Sequence, residues 1–467
     1  MRATIQHLAR QIRARAISPV EIARDALARI EQLNSKLNAF ITVLAESAMA
    51  DALRAEQEIH RGIDHGPLHG IPIGLKDIVD TAGIRTTAAS AQYKDRVPAE
   101  DAEVVRRLRQ AGAVILGKQN LHEFAYGGSS MISLFGEVHN PWNIARVAGG
   151  SSGGSAASVG AGLGVAALGT DTAGSIRLPA AYCGLVGLKP THGRVSARGV
   201  VPLSLSYDHI GPITNSVHDA AIMLQVLAGF DGRDPTSANV PVDNFTAALG
   251  QPLPKIRIDV LREFFFAELD SDVAAAIETA LDVFRSLKAE VRDVSLRDFN
   301  LEVSSDRTLS SAESWAFHQP MVEKSPELYH PATLARIRSG EKTSESQMVQ
   351  ARKKLQEDRN AIRAVFELID ILLTPTVPMP PPEIAGLLKH PENLRPAELI
   401  MLRNTRPFNV WGVPAISIPC GFTPDGLPIG LQLAAAPWRE ALLLQAAHAY
   451  EQATEWHLKA PQMPRST

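Results

Sequence analysis

Gly149-Gly150-Ser151-Ser152-Gly153-Gly154-Ser155 and, further along, Gly169-Thr170-Asp171-Thr172-Ala173-Gly174-Ser175-Ile176-Arg177 are the stretches on which the reading of this chain turns. Glycine lets backbone approach backbone or ligand closely and adopts dihedrals that other residues avoid. Successive small residues ahead of Ser175 leave several amide N–H groups able to point at one spot, as stabilisation of a developing oxyanion requires. Composition alone keeps two readings open: a reactive site, or a tight packing corner between strand and helix, since Gly/Ser clusters also mark loops.

Three known motifs bear on these residues. GxSxG occurs twice in overlapping form, centred on Ser151 and on Ser152, but a nucleophile elbow needs an apolar strand just before it, and Asn140-Pro141-Trp142-Asn143 and Arg146 stand there instead. Gly162, Gly164 and Ala167 fit a dinucleotide fingerprint, yet no strand opens it and no acid follows at the required distance. No Gly-Lys-Ser/Thr follows the cluster, which excludes a phosphate-binding loop of that type.

Around this centre lies a chain of 467 residues, 45% hydrophobic and 21% charged, the composition of an ordinary globular protein. A net charge of -3, with no block of like charge, creates no field that gathers nucleic acid or anionic lipid. Cys183 and Cys420 have no metal-type spacing and are read as reduced, buried thiols in a cytoplasmic protein. The opening MRATIQHLARQIRAR lacks the apolar core of a secretory signal. Residues 147–170 carry no charge over a length that spans a bilayer, but Gly, Ser and Ala gain little from hydrocarbon, so a packed internal segment is expected. The 14 histidines show no HExxH spacing, and no metal site is expected.

Ser18, Pro19 and Glu21 form an N-cap, an N1 proline and a capping-box acid, and Ile22, Ala26, Ile30, Leu33 and Leu37 follow at helical spacing. Apolar runs of strand character at Ile71–Leu75, Ala113–Leu116, Ile371–Leu373 and Ala415–Ile418 alternate with helical patterns such as Ala102–Gln110 and Glu440–Gln452. The alternation implies an α/β fold, read here as one large domain over residues 1–467. About 270–369 is expected to be a helix-rich layer, and Glu383–Pro396 an irregular surface loop.

An ordered set of motifs then gives a resemblance. Gly70-Ile71-Pro72-Ile73-Gly74-Leu75-Lys76-Asp77, Gly117-Lys118-Gln119-Asn120, Glu123-Phe124-Ala125, Asn140-Pro141-Trp142, the glycine-serine block, Gly169 to Pro190, Asp208-His209-Ile210-Gly211-Pro212-Ile213 and Gly412-Val413-Pro414-Ala415 resemble those of the amidase signature family. The resemblance implies a central mixed, twisted β-sheet flanked by helices and a Ser-Ser-Lys triad. Motif by motif, Lys76 matches the base, Ser151 the relay serine, preceded by a cis Gly150–Ser151 peptide, and Ser175 the nucleophile. The oxyanion hole falls to the backbone N–H groups of Thr172, Ala173, Gly174 and Ser175, with Ala173 where many relatives carry Gly. Ala125, Tyr126, Gly127 and Gly128 are expected to line the acyl pocket. The chemistry calls for no metal and no organic cofactor.

The function this implies is hydrolysis of the C–N bond of carboxylic amides through a Ser175 acyl-enzyme, with carbamates, ureas or esters admitted as well. The alternative within the family is the A subunit of a glutamyl-tRNA amidotransferase, which releases ammonia from glutamine and works with partner subunits. Residues 310–320 depart from the tyrosine-rich segment associated with that amidotransferase chain, which favours a stand-alone enzyme. An α/β-hydrolase-type esterase is the third reading and needs a catalytic histidine. On the first reading a small-molecule amide is the partner, nucleic acid and membrane are not, and a homodimer is left open.

Overall fold

In this computed structural model the described residues are 3–295, 297 and 307–463. Eleven segments become strands: β1 (Phe40–Val43), β2 (Pro72–Lys76), β3 (Val114–Gln119), β4 (Ala166–Asp171), β5 (Val186–Lys189), β6 (His209–Thr214), β7 (Arg257–Leu261), β8 (Glu290–Val294), β9 (Ile371–Pro375), β10 (Ala415–Phe422) and β11 (Pro428–Ala435). They form a single mixed sheet in the order β1-β3-β2-β4-β6-β5-β10-β11-β9-β7-β8. β2 lies parallel to β3 and β4, and β7 to β8 and β9, whereas the other neighbours are antiparallel. The join of β5 to β10 at the middle of the sheet knits early and late parts of the chain into one domain.

Helices cover the sheet because their apolar stripes have nowhere else to go. Pro19–Leu37 begins at the expected capping box, with the Ser18 Oγ accepting from Val20 N–H at 2.9 Å and the Glu21 carboxylate accepting from Ser18 N–H at 3.0 Å. Its Ile22, Ala26, Ile30, Leu33 and Leu37 are buried. Residues 147–170 are buried throughout except Gly162, and supply the short helix Gly153–Gly160 and strand β4. Among the described residues no helix is long and apolar enough to cross a membrane.

Helices Ser271–Ser286, Thr308–Lys324, Pro331–Arg338 and Glu345–Leu368 lie in the stretch 270–369, where β8 interrupts the helical pattern. Residues 296 and 298–306 of that stretch lie outside the described residues. Glu383–Pro396 is not an irregular loop. It folds into helix Ile384–Lys389, the turn Pro391–Asn393 and the start of helix Leu394–Met401. Pro391 and Pro396 sit in first turns, where the N–H that proline lacks has no intrahelical acceptor to lose.

The glycines of the serine-rich block are there for close approach. A Cβ on Gly154 would lie 2.4 Å from Asn120 O, 2.5 Å from Ala39 O and 2.6 Å from Asn120 N, all backbone atoms. Alanine is worth about 1 kcal/mol more than glycine inside a helix. Overpacking against backbone costs more, so Gly154→Ala is expected to destabilise by about 1–3 kcal/mol net. Urea denaturation checks this, and a gain in stability would show that the segment is free to move apart.

Candidate active site

β2, β3 and β4 run parallel and bring their carboxyl ends together, the usual location of a site in such a sheet. Lys76 is the last residue of β2 and Thr170 lies near the end of β4. The Lys76 Nζ donates to Ser151 Oγ at 2.8 Å and to Thr170 Oγ1 at 2.7 Å. Lys76 and Ser151 have no solvent-exposed surface. Burial pulls the Lys76 pKa from 10.5 down to about 7, against the opposing fields of Asp171 and Asp208. An amine so held is a base at neutral pH.

Ser151 follows a cis Gly150–Ser151 peptide and sits just ahead of helix Gly153–Gly160. Its carbonyl accepts from His122 N–H at 3.1 Å and from the Ser130 hydroxyl at 3.2 Å. The next residue ties the two serine segments together: Ser152 N–H donates to Ser175 O at 3.2 Å, and Ser152 Oγ donates to Thr170 O at 3.1 Å.

Ser175 lies in the turn between β4 and helix Arg177–Tyr182, and Asp171 shapes that turn. The Asp171 carboxylate accepts from Gly174 N–H at 2.7 Å, Ile176 N–H at 3.2 Å and Arg177 Nε at 3.0 Å, with Arg177 Nη2 at 2.9 Å on its other oxygen. Arg177 also donates to Gln432 Oε1 at 2.7 Å, Asn409 Oδ1 at 2.6 Å and Thr405 O at 2.9 Å. Burial opposes ionisation of Asp171, but the Arg177 charge and these hydrogen bonds hold its pKa at about 2.

A cavity of about 970 Å³ opens onto this turn and is lined by Ser175, Thr172, Ala173, Ala125, Tyr126 and Gly127 together with residues of the 300s and 390s. Ser175 keeps 4% of its surface exposed. Of the four backbone donors suggested by sequence, that of Gly174 is committed to Asp171, while among the described residues those of Thr172, Ala173 and Ser175 have no protein acceptor. Gly174 has φ +134°, and a Cβ there would lie 2.0 Å from Thr405 Oγ1. Gly128 does not line the cavity. It faces Leu402, 3.1 Å from where its Cβ would be.

Two residues outside the suggested set join the site. Thr170 is the second partner of Lys76, and half-buried Asp208 accepts from Thr172 Oγ1 at 2.5 Å and from Leu203 and Ser204 N–H at 2.9 and 3.0 Å. Both stand inside the quoted motifs, where a small polar residue beside a matched position was the available signal. The nearby histidines are engaged elsewhere: the His209 ring meets the Tyr207 and Asp171 carbonyls, and that of His122 meets Ser129, Glu398 and Arg336. Among the described residues, Glu58, His65 and His69 are the one close group of metal-type donors. His69 Nδ1 accepts from His65 N–H at 3.3 Å, so its Nε2 carries the proton and turns an N–H toward Glu58.

A family model described as Amidase matches residues 21–444. The chain belongs to the amidase signature family. It is 40% identical over 480 residues to the A subunit of the glutamyl-tRNA(Gln) amidotransferase of Geobacter sp. (strain M21), covering 98% of both chains. A solved 6-aminohexanoate cyclic dimer hydrolase in complex with substrate is 31% identical, with TM-score 0.90 over 98% of both chains. The solved A subunit of the glutamyl-tRNA(Gln) amidotransferase of Thermotoga maritima is 31% identical, with TM-score 0.79 over 96% of this chain and 94% of that one.

These relatives correct the expectation of a small-molecule amide as sole partner with no nucleic acid involved. Full-length relatives named as subunits that act on a tRNA conflict with it. Near-neutral overall charge misled, because it reports only on long-range fields and not on an acylated tRNA end presented by an assembly. The departing residues 310–320 fall in helix Thr308–Lys324, whose Ser310 and Ser311 line the cavity.

Removing Arg177 would strand the buried Asp171 carboxylate. Arg177→Leu is expected to destabilise by about 3–5 kcal/mol, the cost of breaking a buried pair. A chemical denaturation curve unchanged from the parent protein would show that the pair does not hold the turn.

Proposed function

We propose that Ser175 attacks a carboxamide carbon, passing its proton through Ser151 to neutral Lys76, in a chain that serves as the A subunit of a glutamyl-tRNA(Gln) amidotransferase. The observation that carries the chemistry is the fully buried Lys76, hydrogen-bonded to Ser151 with its pKa near 7. The oxyanion formed on the carbonyl oxygen is met by the free N–H groups of Thr172, Ala173 and Ser175. Collapse breaks the C–N bond as the proton on Lys76 returns through Ser151 to the leaving nitrogen, so ammonia departs and an ester to Ser175 remains. Water then adds with its proton taken by the same relay, and the acid leaves. Thr170 holds Lys76 toward Ser151 by accepting its second hydrogen bond.

The assembly reading is supported by the full-length relatives named as that component of the amidotransferase. With glutamine as amide donor, ammonia release is expected to rise when the remaining subunits and glutamyl-tRNA(Gln) are added. Full turnover of anilides and carboxamides by the chain alone, with no response to those additions, would overturn it.

Two outcomes test the chemistry. Ser175→Ala is expected to lower kcat by about 10⁴-fold or more while leaving the melting temperature unchanged within about 2 °C. The base must be neutral and its pKa is depressed, so kcat/KM should rise with pH along one limb centred at about 7. Lys76→Ala should remove that limb. A limb that survives Lys76→Ala and vanishes with His122→Ala or His209→Ala would transfer the base to a histidine.

A further inference from the structure

The wall of the cavity across from the serine turn has an unusual charge balance. Arg307, Arg336, Arg395, Arg403 and Arg406 all line it, and among the described residues no carboxylate does. Three of the five have anionic partners behind the wall. Glu398 pairs with Arg336 at 2.9 Å and with Arg395 at 3.4 Å, and Arg403 lies 3.8 Å from the exposed Glu268. One carboxylate thus serves two guanidinium groups. Arg307 is half-buried, and among the described residues no carboxylate lies within ion-pair distance of it.

The guanidinium groups also press on one another. Burial first, and then the charge of Arg395, disfavours the cationic form of Arg307. Burial, reinforced by the fields of Arg307 and Arg395, brings Arg406 down to about 10. Like charges gathered in a partly desolvated wall cost free energy that an anion between them would offset, and guanidinium–carboxylate hydrogen bonds are among the strong ones. The long reach of arginine does not explain the cluster as a solvated face, because Arg406 and Arg336 are largely buried.

Resting on Ser175 as the nucleophile of the same cavity, we propose that the amide substrate carries a carboxylate at the end remote from the scissile bond, received by Arg307 with Arg395 and Arg406 beside it. The described lining offers no counter-ion to an ammonium. Glutamine meets the requirement through its α-carboxylate, and the half-amide of a dicarboxylic acid meets it without an opposing cation. Arg307 is then a specificity determinant and takes no part in bond breaking.

Binding separates this from the catalytic reading. Calorimetry on full-length Ser175→Ala protein would compare glutaramate, the half-amide of glutaric acid, with its uncharged methyl ester. The anion is expected to bind at least about tenfold more tightly, the scale of one charge-assisted bond. Adding Arg307→Ala should erase most of that ratio, and Arg307→Lys should restore part of it. Equal binding of the two compounds, binding of neither, or a ratio unchanged by Arg307→Ala in protein of parental melting temperature would each overturn the proposal. Selective anion binding without Ser175-dependent turnover in the parent enzyme would instead sink the catalytic reading alone.

Discussion

A lysine kept out of water and denied a carboxylate of its own is the constraint around which this site is built. Two acids lie close enough to raise its pKa, and each is committed elsewhere: Asp171 to Arg177 and the turn amides, Asp208 to Thr172 and the amides of Leu203 and Ser204. Had either been free to pair with Lys76, the ammonium would be stabilised and the base lost. The same two acids fix the nucleophile turn, so pKa control and loop geometry come from one set of contacts.

Much of this was legible in the sequence. Lys76, Ser151 and Ser175 stand in short local motifs whose residue types are dictated by chemistry, and the capping box at Ser18 acts within one helical turn. The strands that escaped notice are those whose sequences look unlike strands. β4 is rich in Ala and Gly because helices pack against it closely, and β6 carries Gly211 and Pro212 at its centre. Gly128 was grouped with its neighbours as pocket lining, yet one peptide further along, the chain has already turned toward Leu402.

The cavity wall was not legible, for a different reason. Arg307, Arg336, Arg395 and Arg406 come from separate segments, and a lone arginine on a helix reads as a solvated side chain. Only the fold makes them neighbours. Similarity in the core therefore says what bond is attacked, while the wall decides what the bond is attached to. Relatives that share the fold and carry different substrates in their names are consistent with that division.

The hydrogen bonds of Arg177 have a consequence for how the protein comes into being. This side chain reaches Thr405 and Gln432, partners 228 and 255 residues further along the chain. During synthesis the nucleophile turn emerges long before the residues that brace it. Until β11 has left the ribosome and docked, Asp171 and Arg177 lack their outer partners, and the serine has no fixed aim. Reactivity is thus withheld from the nascent chain and arrives only with its last strand.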